Sequence, residues 1–158
     1  MDTMLLKIKD IPGTSGMLGY ENQIEILSYS HGIAMQVDGG VRGTERITGR
    51  PQFQDFTITK HMDRSTPLLN QKCCEGANLG EVQLTVGRND AGTVIPFIVY
   101  TLSNVVISMV GGAGVGDDKP MENLALNFTA IQWVFTASGE SGHDRTSGGW
   151  DVVANTRK

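Results

Sequence analysis

The sequence has few of the features that mark nucleic-acid-binding and membrane proteins. Its 158 residues carry 13 Lys and Arg against 17 Asp and Glu, a formal net charge of −4, and no run of basic residues. A protein whose main task is to hold nucleic acid or an anionic membrane surface needs clustered Lys and Arg. No window approaches the roughly 18 apolar residues of a membrane span. We therefore expect no nucleic-acid partner and no membrane insertion.

Motifs that carry catalytic, cofactor or metal chemistry are also missing. His31, His61 and His143 have no His, Cys or Glu at metal-ligand spacing. The stretch GGAGVG (Gly111–Gly116) lacks the G-x-G-x-x-G spacing, and two aspartates follow where a phosphate would bind. Ser141–Asp144 (SGHD) holds a serine, a histidine and an aspartate, but a triad is assembled by the fold rather than by neighbours in sequence. We predict no catalytic residues, no cofactor and no metal site.

Cysteine is scarce, since the sequence has only Cys73 and Cys74, which are adjacent. Neighbouring cysteines do not form an ordinary disulfide, and two ligands do not make a zinc site. Free cysteine packs as a small hydrophobic residue. We therefore predict two small buried thiols.

The first ten residues, MDTMLLKIKD, have too short an apolar stretch for a secretory signal peptide. They also contain no cleavage-like site. We expect a cytoplasmic protein which, if it is secreted, leaves the cell by a route that needs no cleaved signal peptide.

The sequence is rich in glycine and in short apolar runs. Twenty glycines exceed average use and indicate many turns. Asn89–Gly92 (NDAG) is typical of a hairpin turn, and the length suits one domain over residues 1–158. Seven or eight strands are predicted, in the segments Met4–Lys9, Gln23–Met35, Gln52–His61, Leu79–Arg88, Thr93–Leu102 continuing through Val105–Val110, Asn123–Thr136 and Trp150–Asn155.

Only the segment RSTPLLNQKCCEGAN has the pattern of a helix. Thr66 is a natural N-cap, Pro67 fits the first turn and Gly76 suits the C-terminal stop. The predicted apolar stripe consists of Leu68, Leu69, Cys73 and Cys74. Two stretches, Asp38–Pro51 and Gly111–Pro120, are predicted as long irregular loops, which in a compact domain are usually functional or disordered.

The run ENLALNFTAIQWVFT (Glu122–Thr136) is largely apolar on both faces. A strand with one wet face alternates apolar and polar residues. Thr93–Leu102 shows the same double pattern, and one short helix covers only part of one wall. We therefore predict that the outer wall is buried on assembly, because a soluble monomer rarely exposes such a surface. The candidates for the subunit interface are Ile131, Trp133 and Phe135.

Several stretches together resemble the hemolysin-coregulated protein (Hcp) family, the tube proteins of bacterial type VI secretion systems. They cover essentially the whole chain in order: MLLKIKDIPGTSG, EILSYSHG (Glu25–Gly32), TKHMDRSTPLL (Thr59–Leu69), DKPMENLALNFTAIQWVF (Asp118–Phe135) and GWDVVANTRK (Gly149–Lys158). The resemblance implies a mainly β fold. Its form would be a compact β-barrel of two packed antiparallel sheets with one short flanking α-helix, similar to phage tail-tube proteins.

The resemblance also implies a function and partners. Subunits of the family form hexameric rings that stack into a hollow tube, tipped by a spike protein and expelled by a contractile sheath. An alternative is a ring-shaped chaperone or receptor that binds small effector proteins in its lumen. A hydrolase on a small barrel is a third alternative, which would need turnover dependent on His143.

Site residues follow from matching motif positions. EILSYSHG places Ser30 in the lumen of the ring, with Tyr29 and His31 as neighbours. His31 stands where many relatives have an aromatic residue, so cargo preference is expected to differ. The loop Asp38–Pro51 is expected to join stacked rings. Its candidate contacts are Arg42, Glu45, Arg46 and Arg50.

Overall fold

Two antiparallel β-sheets packed face to face form the body of the protein, with a separate two-stranded hairpin and one α-helix among the described residues. The computed structural model describes residues 2–38, 47–137 and 145–158. The predicted class, mainly β with antiparallel sheets and one short helix, is confirmed. The elements are β1 (Asp2–Ile8), β2 (Ile24–Glu25), β3 (Ser28–Ser30), β4 (Ile33–Asp38), β5 (Ile47–Phe53), β6 (Phe56–His61), α1 (Thr66–Glu75), β7 (Val82–Asp90), β8 (Thr93–Ser103), β9 (Val106–Ala113), β10 (Met121–Asn127), β11 (Ala130–Thr136), β12 (Arg145–Asp151) and β13 (Thr156–Arg157).

The larger sheet has seven strands in the order β13-β12-β11-β8-β7-β1-β2, and the smaller has four in the order β3-β6-β10-β9. Strands β4 and β5 pair with each other in a sheet of their own. At the centre of the larger sheet, β7 and β8 are joined by Ala91 and Gly92, with φ angles of 51° and 84°. Two left-handed residues match a type I′ hairpin turn. The predicted hairpin is thus confirmed, with its turn at Ala91–Gly92, because Asn89 and Asp90 still pair with Val94 and Thr93.

The core lies between the two sheets and is closed at one side by the helix. Leu69 of α1 is fully buried in it, as predicted. The larger sheet contributes Leu6, Leu84, Leu102 and Ile131, and the smaller contributes Phe56, Ile58, Leu124 and Leu126.

The run that is apolar on both faces is not one strand. It divides into β10 in the smaller sheet and β11 in the larger. Leu124 and Leu126 point into the core from β10, whereas Ile131 points into it from β11, so the inward positions change from even to odd numbers. The change occurs next to Phe128, which is itself buried. Both faces of this run are apolar because each faces the same core in turn, so the run gives no support to the predicted burial of an outer wall.

Two other predicted strands are also divided. Gln23–Met35 becomes β2, β3 and β4, which belong to three different sheets. The predicted strand Trp150–Asn155 is wrong beyond Asp151, because a turn follows in which Asn155 has a φ of 56° and Asp151 accepts a hydrogen bond from the Ala154 amide at 2.8 Å.

The predicted helix forms over Thr66–Glu75, with Gly76 left-handed at its end, φ 60°. Its N-cap is Ser65 rather than Thr66. The expectation of two buried thiols was wrong for Cys74, which is exposed, while Cys73 is half-buried against the core. The loop predictions were too long, since Ile47–Phe53 is strand β5 and β9 continues to Ala113.

Candidate assembly surfaces

The outer face of the smaller sheet carries a group of short polar side chains on β3, β6 and β10. Ser28 pairs with Thr59 and Ser30 with Thr57 across β3 and β6. The Thr57 hydroxyl donates to the Ser30 carbonyl at 3.2 Å, and the Thr59 hydroxyl bonds to Asn123 Oδ1 at 2.8 Å. Ser30 is exposed. We call this surface the polar face, and it presents hydroxyl groups to solvent where the resemblance places the lumen.

Tyr29 and His31 point the other way, into an aromatic cluster between the sheets. His31 stacks on Phe56 with centroids 5.4 Å apart and planes 12° apart, and it meets Tyr100 edge-on at 5.4 Å. The Tyr29 and Tyr100 hydroxyls lie 3.0 Å apart. Since successive strand residues face opposite sides, Ser30 alone of the three predicted lumen residues lies on the polar face. Tyr29 and His31 lie instead between the two sheets, against Phe56 and Tyr100.

Burial sets the protonation behaviour of this aromatic cluster. It lowers the pKa of His31, whose Nδ1 is buried and has no hydrogen-bond partner among the described residues. It also raises the pKa of Tyr100, with a smaller contribution from the Tyr29 hydroxyl. Both shifts favour the uncharged forms of His31 and Tyr100 at neutral pH.

The inward face of β11 is progressively uncovered toward the end of the strand. Ile131 is fully buried, Trp133 is half-buried and Phe135 is 44% exposed. At this end, the smaller sheet no longer covers the inward face of the larger sheet. Phe135 lines an open groove of about 430 Å³ together with Asp2, Arg88, Ile95, Phe97, Thr136 and Ala137. Of the predicted interface residues, Ile131 was wrong, because its side chain is inside the subunit.

A β-bulge shapes the same groove. The register between β7 and β8 shifts between Val86 and Gly87, which leaves Phe97 as the extra residue on β8. A Cβ at Gly87 would lie 2.7 Å from the Ile95 carbonyl oxygen, so only glycine fits there. Because of the bulge, Phe97 falls outside the alternation of inward and outward residues along β8, and its side chain lines the groove.

A second apolar surface lies at the base of the hairpin β4–β5. Ile33 and Met35 are 47% and 46% exposed, and across the hairpin they pair with Phe53 and Pro51. With Trp133 and Trp150 these four residues line an apolar groove of about 220 Å³. Both of these apolar grooves are open to solvent in the part of the chain that the structure describes.

Of the four residues predicted to join stacked rings, only Arg50 belongs to the described part of the chain. Arg42, Glu45 and Arg46 lie outside the described residues. Arg50 lies on β5, and its guanidinium donates to the backbone carbonyls of Val152 at 3.0 Å and Val153 at 3.2 Å. It therefore bonds within its own subunit.

A buried ionic network joins the helix to the smaller sheet. Lys60 Nζ lies 2.6 Å from Glu122 Oε2 and 3.1 Å from Asp63 Oδ1, and it donates to the His61 carbonyl at 3.1 Å. The Thr66 hydroxyl donates to the same Glu122 oxygen at 2.9 Å. Lys60 and Glu122 are 0% and 1% exposed. Sequence reasoning missed this network, although a glutamate and a lysine within apolar strands were a visible signal.

No group of three or more His, Cys, Asp and Glu side chains is placed to hold a metal ion in the described ranges. Within the same residues, no helix is long and apolar enough to cross a membrane.

The arrangement matches a known family. A family model described as "Type VI secretion system effector, Hcp" matches residues 5–135. The chain belongs to the Hcp family. The matched span begins within β1 and ends within β11, so it includes the whole smaller sheet, most of the larger sheet, the helix, its ionic network and the polar face.

Individual relatives support the assignment to the Hcp family. The chain is 30% identical to the protein Hcp1 of Pseudomonas aeruginosa, over 98% of this chain and 97% of that protein. It is 24% identical to the "major exported protein" of the same organism, over 86% and 82%. Among solved structures, Hcp1 of Salmonella typhimurium superposes with a TM-score of 0.83 at 21% identity, over 99% of both chains. The Hcp family comprises tube proteins of type VI secretion.

Proposed function

We propose that this Hcp-family protein is a structural subunit of the inner tube of a type VI secretion system. Its copies form hexameric rings, and the rings stack into a hollow tube that is tipped by a spike protein and expelled by a contractile sheath. The protein is secreted with the tube and has no catalytic role.

The observation that carries the proposal is the uncovered inner face of the larger sheet. Phe135, Ile95 and Phe97 belong to a surface that is built like core but open to solvent. An apolar surface of this kind marks an interaction site in a soluble protein. A neighbouring subunit that covers it gains about 25 cal/mol for each Å² of apolar area removed from water.

The polar face favours the proposal that the ring has a hollow, solvent-filled centre. On β3, β6 and the centre of β10 its exposed groups are short hydroxyls and amides, and some already bond along the sheet, as Thr59 does with Asn123. Such a surface remains soluble when it is left uncovered and offers hydrogen bonds to a guest. This also favours the second candidate function, a chaperone that holds small effector proteins in the lumen.

The proposal that the protein is secreted rests on the name of one relative. One relative carries the name "major exported protein". We propose that this chain is made in the cytoplasm and leaves the cell with the tube.

The test of the proposed interface is Phe135→Glu, which places a charge in the open groove. Phe135 is already 44% exposed, so the subunit should still fold, but a carboxylate that a neighbouring subunit has to bury beside Ile95 and Phe97 would weaken the contact and separate the subunits. The matched control is Leu18→Glu, at an apolar side chain that is 78% exposed and outside both grooves. Size-exclusion chromatography with light scattering should show subunits for Phe135→Glu and rings for the control. Rings from both variants would exclude this surface as the subunit interface.

A further inference from the structure

The hairpin β4–β5 has few means of holding its direction relative to the body. Its two strands pair with each other and with no other described strand. A two-stranded hairpin alone is marginally stable in water. Its junctions with the body are short: the Gln54 amide donates to the Gly32 carbonyl at 3.0 Å, directly beside β4 and β5. The direction of the hairpin must therefore be fixed by side-chain contacts at its base.

The C-terminal turn supplies such contacts. Arg50 of β5 donates to the carbonyls of Val152 and Val153, which are 102 and 103 residues away in sequence. Trp150, at the end of β12, shares the apolar groove with Pro51 and Phe53 of the hairpin. One polar contact and one shared apolar groove thus join the same two segments.

The chemistry of Arg50 suits this contact. A guanidinium presents several N–H donors in a rigid plane, whereas a lysine ammonium is a flexible point charge. Both bonds come from one terminal nitrogen of that plane, Nη2, whose two N–H groups reach the carbonyls of two consecutive residues. The turn that presents them is itself held in shape, because the Asp151 carboxylate accepts from the Ala154 amide at 2.8 Å and Asn155 adopts a left-handed φ of 56°.

We propose that the turn Asp151–Asn155 is a brace that sets the direction of the hairpin, with Arg50 as the positioning residue. In the ring, this direction determines whether the hairpin meets the next ring in register. That last step rests on the proposed function, whereas the brace within one subunit does not. Arg50 then acts through the hairpin and does not itself contact the next ring.

The experiment measures the hairpin directly. Hydrogen–deuterium exchange of peptides that carry β4 and β5 is compared between the unmodified protein and Arg50→Met, Asp151→Ala and Asp151→Asn. Loss of the Arg50 bonds should speed exchange roughly threefold to tenfold, as expected for exposed hydrogen bonds of a charged donor. Asp151→Ala should have the same effect because the turn loses its shape. Asp151→Asn keeps an oxygen acceptor and should remain near the unmodified protein.

Two controls separate the possible outcomes. Arg145→Met removes an exposed arginine at the opposite end of β12 and should leave hairpin exchange unchanged. The double variant Arg50→Met/Asp151→Ala should be no worse than either single variant, since both break one contact.

Tube formation, followed by electron microscopy, distinguishes the brace from the proposed function. If Arg50→Met abolishes stacking while Asp151→Ala changes neither exchange nor stacking, Arg50 contacts the next ring directly and the brace is wrong. Unchanged exchange in both variants also overturns it. If exchange responds as expected but the unmodified protein never forms tubes, the brace stands and the proposed function fails.

Discussion

Replacement of Lys60 by methionine is the sharpest test of what holds this fold together. Lys60 is completely buried, and its three donors are all used, by Glu122, Asp63 and the His61 carbonyl. Methionine fills nearly the same volume but donates nothing. The substitution therefore leaves two carboxylates near each other, one of them 1% exposed, without the cation between them.

The expected cost follows from the geometry of this site. Breaking a buried ion pair by removal of one partner costs about 3–5 kcal/mol, because the remaining charge is uncompensated. The upper part of that range applies here, since two carboxylates lose their partner and Glu122 Oε1 already has no hydrogen bond among the described residues. The pair Lys60→Met/Glu122→Leu removes charge on both sides and should recover a large part of the loss.

The assay is equilibrium unfolding in urea at one fixed protein concentration, because assembly makes apparent stability depend on concentration. The control is Lys72→Met, which breaks the exposed pair Lys72–Glu75, whose atoms lie 3.5 Å apart, and should change stability by less than about 0.5 kcal/mol. A loss under about 1 kcal/mol for Lys60→Met would refute the argument that this network anchors the helix to the sheet.

Three further predictions concern the helix, the aromatic cluster and the polar face. Leu69→Ala should lower the free energy of unfolding by about 2–5 kcal/mol, because Leu69 is fully buried, and a loss under about half a kcal/mol would contradict its place in the core. Burial lowers the pKa of His31, so as the pH falls below about 6.5 this residue takes up a proton in the unfolded state before it does so in the folded state, and the free energy of unfolding decreases. Between about pH 7.5 and about pH 5.5 the urea midpoint should therefore fall less in His31→Phe than in the unmodified protein. Equal falls in the two proteins would contradict this. Ser30→Gln should leave ring size and tube assembly unchanged but reduce co-purification of any bound effector, and disrupted rings would instead place Ser30 at the subunit interface.

The features that sequence predicted well are those encoded by a few neighbouring residues. The Asn89–Gly92 turn needs two left-handed residues in a row, and the helix end needs one glycine at Gly76. The two glycines, Gly92 and Gly76, can be read from local sequence, whereas the left-handed Ala91 cannot, because alanine does not favour that conformation. The inward position of Leu69 follows in the same way from the spacing of apolar residues along one helix.

The features that it missed depend on contacts between distant segments. The phase change near Phe128 could not be read from alternation alone, because a strand that is apolar on both faces looks the same as two strands in different sheets. The bonds from Arg50 reach a turn 102 residues away, and Lys60 meets Glu122 across two strands. For Tyr29 and His31, alternation along β3 was itself sufficient to separate them from Ser30, and the motif match overrode it.

The central claim is that copies of this chain close into a ring, and native mass spectrometry of the unmodified protein tests it most directly. A hexamer of the 17.1 kDa chain has a mass of about 103 kDa. The account predicts this species, or stacks of it, at micromolar concentration, since the groove at Phe135 is covered only on assembly. A single species at 17.1 kDa under the same conditions would contradict it.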